Sequence, residues 1–179
     1  VVRAPSAPRS LGEPALSLIH VERVTALTVA RPLPDNAGMS LPTIDLAPLR
    51  RALALLNEAL RFWNEQAEGA PLKPHLRSSV FQSFEFTYEL AVRSLRRVLI
   101  ERSASAERVA ELSLNDLPRA AADSGFMPDT ARWREWREMR NATSHAYDEA
   151  KAQAVAQRAA AFAVDAASLL GALEANLAG

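Results

Sequence analysis

From Asp45 onward, apolar residues recur at three- and four-residue steps, the spacing that turns one side of an α-helix toward a core. Leu46, Leu49, Leu53, Leu56, Leu60 and Trp63 predict a first helix that stops near Gly69-Ala70-Pro71, and Pro71 and Pro74 prevent its continuation. A longer second helix follows. Its apolar stripe is Val80, Phe81, Phe84, Tyr88, Ala91, Leu95, Val98 and Leu99, and its outer face carries Arg93, Arg96, Arg97 and Arg102. After Ser103 the pattern shortens: Asn115 or Asp116 caps a short helix with Pro118 in its first turn, and Gly125 ends it. Asp129 or Thr130 caps a third major helix containing Trp133, Trp136, Met139 and Arg140. A fourth begins near Asp148 and runs through Val155, Phe162, Val164, Leu169, Leu170, Leu173 and Leu177. Nothing reads as a strand ladder. Residues 45–179 are therefore expected to form an all-α, antiparallel up-and-down four-helix bundle with a short helical insert between helices 2 and 3.

Residues 1–44 follow a different rule. Pro5, Pro8, Pro14, Pro32, Pro34 and Pro42 with scattered glycine sustain no period, which reads as a linker or disordered arm. Only Ile19 to Val29 is patterned enough for a short strand or helix. Because Met39-Ser40 stands just ahead of the first patterned segment, a second expectation is that Met39 is the biological start and residues 1–38 a mis-assigned one.

Composition narrows the chemistry. With 179 residues, 49% of them hydrophobic, and 21 basic against 21 acidic side chains, the chain suits one soluble globular domain plus some excess. It has no cysteine, so disulfides and thiolate nucleophiles are excluded. His20, His75 and His145 lie far apart in no metal-ligand pattern, so neither a metal nor another cofactor is expected. Zero net charge argues against a general nucleic-acid coat protein but leaves room for a small basic cleft. The excess of arginine over the two lysines, Lys73 and Lys151, is read as base composition of the genome rather than as a phosphate-binding device. No apolar run approaches the roughly 18 residues of a membrane span. Glu22 and Arg23 interrupt Leu16 to Ala30, so no signal-peptide core is present and a cytoplasmic location is expected.

One stretch carries candidate chemistry: Arg140-Asn141-Ala142-Thr143-Ser144-His145-Ala146-Tyr147. An arginine that can hold a phosphate, beside a histidine that can move a proton near neutral pH, is a minimal kit for phosphodiester chemistry. On an unbroken helix, Arg140 and His145 would sit about 140° apart, so both reach one cleft only if the helix ends or bends within Ala-Thr-Ser. Tyr147 would return close to the arginine's face if the helix continued. A lone Arg-x4-His arises often by chance, and Trp133 and Trp136 read as core or interface anchors rather than base-stacking platforms.

Two longer motifs make the pattern more specific. Phe84-Glu85-Phe86-Thr87-Tyr88-Glu89-Leu90 with Leu95-Arg96-Arg97, and then Trp136 with Arg140 to Glu149, resemble the HEPN superfamily and within it the nucleotidyltransferase substrate-binding branch. The resemblance spans roughly residues 45–177. It implies a helical bundle that forms a homodimer and works beside a minimal nucleotidyltransferase, the two as toxin and antitoxin. It also implies a metal-independent ribonuclease, with RNA as substrate, whose catalytic pair is Arg140 and His145 and whose motifs meet across the dimer. Asn141 is then a supporting position, Glu85 and Glu89 are candidates to orient the pair, and Tyr147 is the candidate for attachment of AMP by the partner. The split site, together with tryptophans taken as exposed, calls for association. A non-catalytic substrate-binding or docking subunit of a nucleotidyltransferase is the alternative, and a bundle that merely dimerises is a third. The chain lacks a Gly-Ser followed by Asp-x-Asp and any phosphate-cradling glycine loop, so it is not expected to be the transferase.

Overall fold

In a computed structural model, residues 44–142 and 149–178 are described, and the N-terminal arm with its Met39 alternative lies outside them. Among the described residues the chain is all helical, with α1 (Ala47–Glu65), α2 (Lys73–Arg102), α3 (Ala106–Ala110), α4 (Leu117–Asp123), α5 (Thr130–Ala142) and α6 (Glu149–Ala178). α1, α2 and α6 pack on one another, while α5 lies against α2, α4 and α6.

The stripe on α1 is buried as its spacing predicts, through Leu49, Leu53, Leu56, Leu60 and Trp63. The helix stops at Glu65, earlier than the Gly69-Ala70-Pro71 signal suggests. A lysine from the next helix supplies the reason: Lys73 Nζ donates to the carbonyls of Trp63 at 2.7 Å and Gln66 at 2.8 Å, satisfying acceptors that a longer helix would have bonded internally. Gly69 then takes a positive φ of 83°, which turns the chain. Pro74 falls within the first turn of α2, where its missing N–H costs nothing.

Between α2 and α5 the insert holds two short helices, α3 as well as the predicted α4. α3 buries none of its own side chains fully. It is held by half-buried Val109, with Leu112 just after it, against the core and by Arg96, whose guanidinium donates to the carbonyls of Val109, Ala110 and Leu112 at 2.8 to 2.9 Å. Arg96 therefore belongs to the fold and not to an outer solvent face. Arg102 likewise bonds to Asn176 of α6. Asp116 occupies the N-cap of α4, but its side chain accepts from Ser113, whose own Oγ receives the N–H groups of Asn115 and Asp116. Gly125 ends α4 at φ 77°, where its N–H reaches Ala122 and the Phe126 N–H reaches Ala121, the paired bonds of a Schellman cap. Asp129 caps α5 by accepting from the N–H groups of Ala131 and Arg132.

The core gathers around Phe162. Its ring meets Phe84 edge-on at 4.8 Å and lies within 6.3 Å of Tyr88, Trp133 and Trp136. Trp133 and Trp136 are buried, the latter to 2% exposure, which corrects the reading of exposed tryptophans as a reason for association. Asp165 fastens the same region from α6, accepting from Trp136 Nε1 and Arg132 Nε, both at 2.8 Å. α6 departs from expectation in composition: Ala152–Ala178 is long and apolar enough to cross a membrane. Here it is a core helix, because Phe162, Ala166 and Leu173 are fully enclosed and Arg158 and Asp165 pair with α5. Replacing Phe162 with alanine removes the ring that every other aromatic of the cluster touches. We expect Phe162→Ala to lower unfolding free energy by about 3–5 kcal/mol in urea denaturation, with a loss under about 1 kcal/mol counting against this account.

Candidate functional site

The cleft wall on α5 adjoins its tryptophan face, because Arg137 and Arg140 each stand four residues, about 40° of turn, beyond Trp133 and Trp136. With Trp133 and Trp136 turned inward, Arg137 and Arg140 fall along the seam with α2. Across that seam α2 presents Glu89, Arg93 and Arg96 at i, i+4 and i+7. The two helices, with Leu114 from the insert, enclose an open cleft of about 390 Å³. Four arginines line it, Arg93, Arg96, Arg137 and Arg140, against one carboxylate, Glu89. Tyr88, Val92 and Asn141 complete the lining.

Three of the four guanidiniums are occupied. Arg140 Nη2 donates to Glu89 Oε1 at 2.6 Å. That hydrogen bond raises the Arg140 pKa above its usual value, and the negative charges of Glu89 and Glu85 push the same way, so the guanidinium stays charged. The pair is 40% and 48% exposed, so it contributes no more than about 1 kcal/mol to folding and acts to aim the side chain. Arg137 Nη1 donates to Asn115 Oδ1 in the insert, and Arg96 is committed to its three carbonyls. Arg93 is exposed and makes no hydrogen bond or ion pair among the described residues. The Tyr88 phenol is held above its usual pKa by burial, with Arg137 and Arg140 pulling partly the other way.

Of the residues singled out in the sequence, Arg140, Glu89 and Asn141 meet in this cleft, and Glu85 acts on Arg140 through its charge. His145 and Tyr147 lie outside the described residues. Tyr88, Arg93, Arg96 and Arg137 join the cleft without having been predicted there. The Glu89, Arg93, Arg96 ladder and the three-residue step from Arg137 to Arg140 carried that signal. No group of three or more metal-ligating side chains occurs among the described residues. A larger groove of about 610 Å³ lies between the start of α1 and the end of α6, where Arg50 pairs with Glu174 and the remaining charged side chain of the lining, Asp45, accepts from the Ala47 N–H.

Comparison with known proteins adds three findings. Residues 44–175 match the family described as nucleotidyltransferase substrate binding protein like. The probable ribonuclease HepT of Haemophilus influenzae is 34% identical over 95 residues, which make up 53% of this chain and 65%, just under two thirds, of that protein. A solved Haemophilus influenzae structure, described as revealing the fold of a substrate binding domain of a nucleotidyltransferase, superposes with a TM-score of 0.66 at 28% identity, over 73% of this chain and 99% of that one.

Burial of Tyr88 has a consequence at high pH. Above the ordinary tyrosine value of 10.0, the unfolded chain releases a phenolic proton that the folded chain still holds. Stability from the neutral phenol is thus complete below that value and falls as pH rises through the folded pKa. Denaturant midpoints measured at about pH 9 and about pH 11 should drop less in Tyr88→Phe than in the parent, and equal drops would contradict the assignment.

Proposed function

We propose that this chain, which belongs to the nucleotidyltransferase substrate binding protein like family, is a cytoplasmic HEPN-type ribonuclease and the toxin partner of a minimal nucleotidyltransferase. In this reading its helices form an antiparallel up-and-down four-helix bundle that works as a homodimer. The observation that carries it is the placement of Arg140: it closes α5 in an arginine-lined cleft, aimed by Glu89, five residues ahead of His145. The named relative HepT lends support.

The chemistry follows from those groups. His145 takes the proton of a ribose 2′-OH, and the freed oxygen attacks the adjacent phosphorus. The bond to the 5′-oxygen breaks, a 2′,3′-cyclic phosphate forms, and the leaving oxygen takes a proton from the histidine of the second protomer. Arg140 moves from Glu89 to the phosphate as negative charge builds on its oxygens. Glu85 and Glu89 hold the guanidinium ready, and Asn141 supports the same end of α5. The nucleophile is the substrate's own hydroxyl and the proton carriers are imidazoles, so the reaction needs no metal. AMP attached to Tyr147 by the partner would bring a phosphate to Arg140 and block RNA both sterically and electrostatically.

A second reading, a non-catalytic subunit that offers substrate or a docking surface to the nucleotidyltransferase, is favoured by the family's description and by that of the structural relative. RNA cleavage in excess EDTA separates the two. Wild-type protein should cut, and folded His145→Ala and Arg140→Ala proteins should lose at least about a hundredfold in rate. Intact RNA in every lane would favour the docking subunit. Sedimentation equilibrium at micromolar concentration should report a dimer, and a monomer there would remove the two-protomer mechanism.

A further inference from the structure

The cleft is not uniformly cationic. Leu114, 43% exposed, reaches its rim from the insert, and the half-buried Val92 faces it from α2. A single exposed leucine needs no account. One standing at the edge of a cleft with four guanidiniums makes its lining part apolar and part cationic. Its volume falls at the lower end of the roughly 300–1,000 Å³ typical of small-ligand sites.

The arginines are not equivalent toward an incoming anion. Arg96 would have to abandon three carbonyls and Arg140 its bond to Glu89, while Arg137 is tied through Nη1 to Asn115 and its Nε, without an acceptor, is buried away from an incoming anion. Arg93 gives up nothing among the described residues, so a phosphate reaching the cleft meets it at least cost. Tyr88 lies at the same cleft with its phenol kept protonated, hence a hydrogen-bond donor that repels no anion.

From this arrangement we infer that the cleft holds one nucleotide unit beyond the reacting phosphate, its phosphate on Arg93 and its base on the shelf formed by Leu114 and Val92. The insert therefore contributes directly to ligand choice. The unit is either a residue of an RNA strand or a free nucleotide. The first source rests on the ribonuclease reading above and the second does not.

Fluorescence anisotropy with a fluorescein-labelled 2′-O-methyl RNA pentamer, whose blocked 2′-oxygens prevent cleavage, tests the inference on the full chain. Calorimetric titration with AMP supplies the second arm. Arg93→Ala should weaken pentamer binding about tenfold and flatten the salt dependence by about 0.7 in log–log slope, the loss of one phosphate contact on a single strand. Leu114→Ala should weaken it about fivefold at unchanged slope, because the lost contact is apolar. Arg51→Ala, on the exposed side of α1, should bind as the parent does. Both substituted side chains are exposed, so melting curves should confirm intact folds. If the pentamer binds the parent and both variants alike, the subsite is refuted while the ribonuclease reading stands. If only AMP binds, weakened by both substitutions, the nucleotide cleft stands and the RNA reading falls. Binding of neither probe by the parent overturns the inference.

Discussion

The position of the candidate site depends on how α5 is fixed to the rest of the molecule. α5 is short, and it meets α2 and α6 along a limited seam. What sets its angle and register is the packing of Trp133 and Trp136 around Phe162, together with the Asp165 carboxylate that accepts from Trp136 and Arg132. An indole N–H buried without an acceptor would be costly, so Asp165 removes a penalty at the point where apolar packing is densest. Arg140 lies about one turn beyond Trp136 on the same helix, and its reach toward Glu89 follows from that register.

The fold was legible where one physical rule acts alone. The burial stripes of α1 and α2 follow from helical spacing, and the ends of α4 and α5 follow from Gly125 and Asp129, whose local roles need no tertiary context. Legibility failed where a distant side chain does the work. Lys73 ends α1 from outside it, and Arg96 holds α3 from the neighbouring helix, so neither effect is written in the segment it governs. The apolar character of α6 was underread because alanine, rather than leucine or valine, supplies much of it. At the site, Arg140, Asn141 and Glu89 were singled out by motif, whereas Arg93 was read as part of an outer face and Arg137 was not singled out. Only the meeting of two helices shows that they share a cleft.

Electrostatics explains how a neutral chain builds a cationic pocket. The 21 acidic side chains balance the 21 basic ones overall, and pairs such as Arg61–Glu65, Arg158–Glu135 and Arg50–Glu174 are each neutral, but the two signs are not spread alike over the surface. At the α2–α5 seam there is a local surplus of guanidinium, tempered by one carboxylate. Net charge is a poor guide to such a site because the field is set within a screening length of roughly 10 Å, not by the sum over the molecule.

Arg96 grips the insert by three backbone carbonyls and by no side chain. A carbonyl is the same whatever residue carries it, so this anchor is indifferent to the identity of Val109, Ala110 and Leu112. Apart from Val109 and Leu112, which pack half-buried against the core, the residues of α3 and the loop after it are thus free to drift in sequence while the segment stays docked. The cleft is built from two walls whose residues are tied to the core and a third that can be rewritten at little cost to stability, which makes the insert the natural place for descendants of this chain to acquire new ligands.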